Sequence, residues 1–348
     1  MISNLALHFF KLSNLMFTLV LMLLIILKNG MHPIGTDWIS WIYKASENFP
    51  EPTSYLSNSV VPIFIAGVLG YPSYLVWWIV FLFFTILFYS FLFIRLNSLF
   101  RTNYKTALLV FMAFPFTITP LYYLGHYDLL TLFGALLAGL TRSKGLVLLG
   151  SGLAIGANPE QALITSLCVG IFSIGTRSNW HKFIAVVWSV GSIFTLGALN
   201  FFVGKSSSGN RIEVIRDEFT YVSIESIGQS HLLIFSIFSS GWIVIFLTML
   251  RENSKFHNYS IFIGVILIPM ILTIFILDHT RVGIAVGTLP LLLFLKHYID
   301  SDFLHSLNQR FSSPNFLFYI VLFTPSLIVD SDGSLRMPYI ELFKLLMG

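Results

Sequence analysis

Residues 125–161 read GHYDLLTLFGALLAGLTRSKGLVLLGSGLAIGANPEQ, and their pattern governs how the whole chain is read. Two apolar runs, 127–141 and 144–157, flank a basic turn at Arg142 and Lys144 and end on polar tips, GHYD (125–128) and ANPEQ (157–161). As helices, runs of about 14–16 residues reach roughly 21–24 Å at 1.5 Å per residue. That falls short of the ~30 Å hydrocarbon core of a bilayer. With the basic turn at one interface, the polar tips stop below the other. Irregular polar backbone at that depth is tolerated only inside protein or beside a wet cavity. The stretch therefore predicts a helical hairpin that carries His126, Asp128, Asn158, Glu160 and Gln161 to the floor of an outward-facing cavity. Ionisable groups at membrane depth are candidates for function by default.

The rest of the chain extends this pattern. Of its 348 residues, 56% are hydrophobic and 10% charged, against about 25% charged in soluble domains. Mean hydropathy is +0.82, which implies an integral membrane protein. Apolar runs near 12–29, 73–96, 106–122, 127–141, 144–157, 160–175, 183–203, 231–250, 259–277, 282–298 and 313–329 predict roughly eleven transmembrane helices. The expected fold is all-α, one polytopic membrane bundle over 1–348. A shorter apolar stretch at 58–70 is placed as an interfacial or re-entrant piece. The first run lacks a small-residue cleavage site and is read as a retained helix.

Lys and Arg concentrate in alternate loops, at Arg95, Arg101 and Lys105, at Arg142 and Lys144, at Arg177 and Lys182, at Arg251 and Lys255, and at Lys296 and Arg310. The positive-inside rule makes those loops and the N-terminus cytoplasmic. A bacterial plasma membrane is the expected setting. The opposite side then holds loop 30–57, loop 204–230 and the tail 330–348. Cys168 is the only cysteine, which excludes an internal disulfide and a cysteine metal site. The pI of 9.1 comes from short-loop Lys and Arg and does not suggest nucleic-acid binding.

Nearly every acid at a boundary faces the outer side. Asp37, in GTDWISWIYKA (35–45), starts a predicted amphipathic interfacial helix on which Trp38, Trp41, Ile42 and Ala45 recur at helical spacing. The helix dipole keeps such a carboxylate ionised, which suits a general base; the plain alternative is an N-cap. In DHTR (278–281), Arg281 suits two-pronged phosphate recognition and His279 adds a proton or a hydrogen bond, while an Asp278–Arg281 pair closing a turn is the structural alternative. Asp128 and His126 are candidate ligands for a divalent metal, Mg or Mn, although two ligands make a weak metal signal. Asn158-Pro159 breaks a helix, and Glu160 with Gln161 behind it is costly to leave in lipid.

This layout resembles the GT-C superfamily of membrane glycosyltransferases over about the first 200 residues. The resemblance implies sugar transfer from a polyprenyl-phosphate donor to a glycan or lipid acceptor on the outer face. It implies Asp37 as the catalytic acid residue, Asp128 and Glu160 as metal- or donor-positioning residues, and Arg281 as the holder of the carrier phosphate. Rival expectations are a polymerase or ligase acting on a polyprenyl-linked glycan, a lipid-linked glycan flippase, and a purely structural membrane subunit. One-sided polarity and the lack of a repeat argue against the flippase.

Overall fold

The computed structural model describes residues 10–50, 58–70, 73–202, 230–251, 255–275, 279–310, 315–326, 328–329 and 335–336. Loop 204–230 up to residue 229, Asp278 and most of the tail lie outside the described residues, and of His279 only the backbone is described. The fold is all-α apart from one short antiparallel pairing of β1 (Ile328–Val329) with β2 (Leu335–Arg336).

The chain opens with α1 (Asn14–Asn29), then α2 (Thr36–Asn48), α3 (Val60–Leu69), α4 (Tyr74–Leu99), α5 (Tyr104–Met112) and the single turn α6 (Thr119–Tyr122). The central hairpin is α7 (Asp128–Gly139) and α8 (Lys144–Ala157), followed by α9 (Pro159–Thr176) and α10 (Asn179–Phe202). Beyond residue 230 come α11 (Ser230–Phe238), α12 (Gly241–Arg251), α13 (Lys255–Ile261), a π-helical stretch Phe262–Leu267, α14 (Ile268–Phe275), α15 (His279–Tyr298), α16 (Ser301–Arg310) and α17 (Asn315–Phe323).

The expected eleven-span bundle is not what forms. Among the described residues three helices are long and apolar enough to cross a membrane: Tyr74–Leu99, Asn179–Phe202 and His257–Ile274. The count reaches five if α11 with α12, bent by 80°, and α15 with α16, bent by 89°, each form one span. Punctuation within the apolar runs explains the shortfall. Ser13 caps α1 by accepting from the Met16 amide, and Gly30 ends it after 16 residues. The run at 106–122 is cut by Pro115, which opens a 3-10 turn, and by Pro120 in α6. The predicted hairpin is present, but its helices have 12 and 14 residues, and the stretch at 58–70 holds a helix of ten.

The long helices carry an apolar outer face. On α4, Leu75, Ile79, Phe83, Ile86 and Ile94 are exposed at helical spacing; on α10, Val186, Val190, Ile193 and Phe194 are. A continuous exposed apolar stripe of this kind marks a surface covered by something other than water. These helices are consistent with membrane association.

At the centre, every residue of α7 is buried. Its contact with α8 is close because both helices present glycine there: a Cβ on Gly134 would stand 2.2 Å from the Gly150 carbonyl oxygen, and one on Gly150 would stand 2.5 Å from that of Gly134. Neither backbone can yield without separating the hairpin. Gly134→Ala is expected to destabilise the protein by about 1–3 kcal/mol through overpacking. Gly152→Ala, on the same hairpin with open space around it, is expected to be neutral or stabilising by up to ~1 kcal/mol. Thermal melts of the two variants in one detergent provide the check.

Candidate functional site

The ends of α7 have opposite charge character. Asp128 occupies its first turn, where the helix dipole favours a negative charge. At the far end, Arg95 donates from Nε (3.1 Å) and Nη2 (2.9 Å) to the Leu140 carbonyl. Lys296 Nζ donates to the carbonyls of Gly139 (3.2 Å) and Thr141 (2.8 Å). Cations thus satisfy carbonyls that a helix C-terminus leaves without partners.

Around Asp128 four chain segments meet. Asn158, at the break between α8 and α9, donates from Nδ2 to Asp128 Oδ1 (2.9 Å) and to Thr131 Oγ1 (3.0 Å). Arg281, in the first turn of α15, places Nε 3.2 Å from Asp128 Oδ2, and its Nη1 hydrogen-bonds His126 Nε2. His126 Nδ1 lies 3.3 Å from the same Oδ2. His126 Nδ1 also accepts from the Asp128 backbone amide (3.1 Å), which ties the ring to the start of α7. Above the group, Trp38 of α2 sets its ring 5.6 Å from the His126 ring and 6.0 Å from the centre of the Arg281 guanidinium. Tyr127 stacks on the other side of His126 at 4.4 Å.

Backbone contacts hold the loop that presents His126. Ile34, just before α2, donates its amide to the Leu124 carbonyl (2.9 Å), and Trp77 Nε1 of α4 donates to the Gly125 carbonyl (2.8 Å). Gly125 adopts φ +95°, and a Cβ there would meet Ile34 and Trp78 at 3.1 Å, so glycine is required for both conformation and space.

Asp128 is 2% exposed, and the Arg281 side chain is 11% exposed. A carboxylate buried to that degree is costly unless it is paired, and the Arg281 guanidinium and the Asn158 amide meet it, so Asp128 and Arg281 form a buried pair.

The other candidates lie apart from this centre. Asp37 is in the first turn of α2 with its side chain exposed, and among the described residues it makes no hydrogen bond or ion pair. Its neighbour Trp38 is the residue that turns inward. Glu160 accepts from Asn58 Nδ2 (3.1 Å). Gln161 is half-buried, with its Oε1 left without a hydrogen bond. Trp38 and Thr131 join the centre without having been singled out as its members. Thr131 follows Asp128 at i+3, on one helix face, and that spacing was the available signal.

The donor set does not fit a divalent metal. It offers one carboxylate and one imidazole, and Arg281 already places a cation against the carboxylate oxygen a metal would use. Among the described residues no three of His, Cys, Asp or Glu come together in a group able to hold a metal ion.

No family model, no curated protein and no solved structure matches the chain. The GT-C resemblance therefore has no counterpart in sequence or fold comparison, and the span count also contradicts it. The glycosyltransferase reading, with its polymerase and flippase alternatives, depended on that many-spanned architecture, and it falls with it.

Replacing Asp128 with Ala leaves the Arg281 charge buried without its counter-ion and is expected to cost about 3–5 kcal/mol. Chemical melts of wild type and Asp128→Ala in one detergent provide the check.

Proposed function

We propose that this chain is a multi-pass membrane protein with a cytoplasmic N-terminus, and that the His126–Asp128–Arg281 centre, on the opposite side, recognises the terminal phosphate monoester of an anionic membrane lipid. One observation carries the reading: the guanidinium of Arg281 keeps some exposure, 11% of its side chain, while Asp128 and His126, which fix its plane, are buried. A guanidinium oriented in advance loses little freedom on meeting a planar or tetrahedral oxyanion, and arginine matches phosphate geometry in a way lysine does not. His126 orients the guanidinium from behind, and Trp38, 6.0 Å from the guanidinium, gives an aromatic wall for the ligand body. The sidedness rests on α7, whose ends separate this centre from the cationic turn at Arg95, Arg142 and Lys296 by ~18 Å of helix.

A second reading draws on the 2% exposure of Asp128: the pair is a purely structural link between segments. Binding of short-chain phosphatidic acid to the detergent-purified protein, measured by calorimetry with phosphatidylcholine as the control, separates the two. Recognition predicts binding of phosphatidic acid alone, weakened about tenfold or more by Arg281→Lys in protein that still melts cooperatively. Equal binding by folded wild type and Arg281→Lys, or no binding by wild type, leaves the structural link.

A further inference from the structure

At the other end of α7 lies a second concentration of charge. Arg95 of α4 and Lys296 of α15 approach the α7–α8 turn from opposite sides, bonding the carbonyls of Gly139, Leu140 and Thr141. The turn they fasten carries Arg142 and Lys144, both exposed. Arg95 and Lys296 both bond carbonyls of residues 139–141, immediately before Arg142, which gathers the three cations at one turn. Among the described residues no carboxylate pairs with Arg95, Arg142, Lys144 or Lys296. Asp300, the acid nearest Lys296 in sequence, is taken by Arg251 through two hydrogen bonds of 2.9 and 3.1 Å.

Two cations spend their donors on holding a turn, and two more project from it without counter-ions. That arrangement is self-repulsive unless an anion completes it. Its position identifies the anion. Arg95 is near the C-terminal end of α4, and Lys182, also exposed, is near the start of α10; both helices are long and apolar enough to span a membrane. Lys144 lies 5.9 Å from the ring of Phe183 in the first turns of α10, which brings that helix end to the same turn. Basic side chains at the ends of spanning helices stand at headgroup level, where anionic lipids attract them. We infer that the α7–α8 turn is a binding site for the phosphate headgroup of an anionic phospholipid, with Arg142 and Lys144 as the contacting residues and Arg95 and Lys296 as the residues that position the turn.

This inference rests on the membrane placement proposed above and is independent of the Arg281 centre. The test is native mass spectrometry of the full chain in detergent, titrated with phosphatidylglycerol against phosphatidylcholine. Wild type is expected to retain phosphatidylglycerol preferentially. The Arg142→Gln/Lys144→Gln double variant is expected to lose about 30-fold of that preference, at about fivefold per basic residue. Lys44→Gln, an exposed cation of α2 outside both proposed sites, is expected to keep it, so loss of the site is told apart from loss of positive charge in general. The variant residues are exposed and fasten no carbonyl, so the fold is expected to persist and circular dichroism should confirm it. An unchanged preference in the double variant, or none in wild type, overturns the site. Displacement of the lipid by millimolar inorganic phosphate overturns the assignment to a lipid headgroup.

Discussion

The fold depends on a carboxylate that cannot stand alone. Asp128 is buried among apolar side chains, where an isolated charge would cost several kcal/mol after relaxation. Arg281, His126 and Asn158 offset that cost, and each comes from a different segment: the start of α15, the loop before α7, and the break between α8 and α9. Satisfying one charge therefore fixes the relative position of elements more than 150 residues apart (His126 and Arg281 are separated by 155). Packing contributes to the same register, since Gly139 of α7 admits Leu292 of α15 at close range. A buried ion pair that specifies arrangement more than it adds stability is consistent with how such pairs behave where they set register.

The two ends of α7 solve one problem in opposite ways. A wholly buried helix leaves amides at its N-terminus and carbonyls at its C-terminus without water. The N-terminus is answered by an acid in the first turn, and the C-terminus by Arg95 and Lys296, which reach in from neighbouring helices. The charges that complement the dipole are thus also the ones that gather the surrounding helices. Both proposed lipid contacts lie at these ends because that is where charge is structurally required. In this chain the requirement of the fold and the opportunity for binding coincide.

Some of this was legible in the sequence. The hairpin at 125–161, the helix beginning near Asp37 and the membership of His126, Asp128, Asn158 and Arg281 follow from polar residues that interrupt apolar runs. The span count did not follow. A hydropathy window sums side chains and is blind to Ser13, Pro115 or Pro120, which cut apolar runs into helices too short to cross. Direction was also hidden. Asp37 and Trp38 are adjacent on one helix, yet the acid faces solvent and the indole covers His126, because α2 buries Ile39, Ile42 and Tyr43 and the position of Trp38 lies nearer that face. Glu160 and Asn158 diverge in the same way across a helix start.

The central claim is that Asp128 and Arg281 act as one unit, and a double-mutant cycle tests it most directly. Wild type, Asp128→Asn, Arg281→Gln and the double variant would be unfolded in urea under a single detergent condition. The account predicts a coupling energy of about 1–3 kcal/mol, with the double variant more stable than the sum of the single losses implies. Additivity within about 0.5 kcal/mol would contradict it, showing that the two side chains contribute independently and that something else sets the register of α7 against α15.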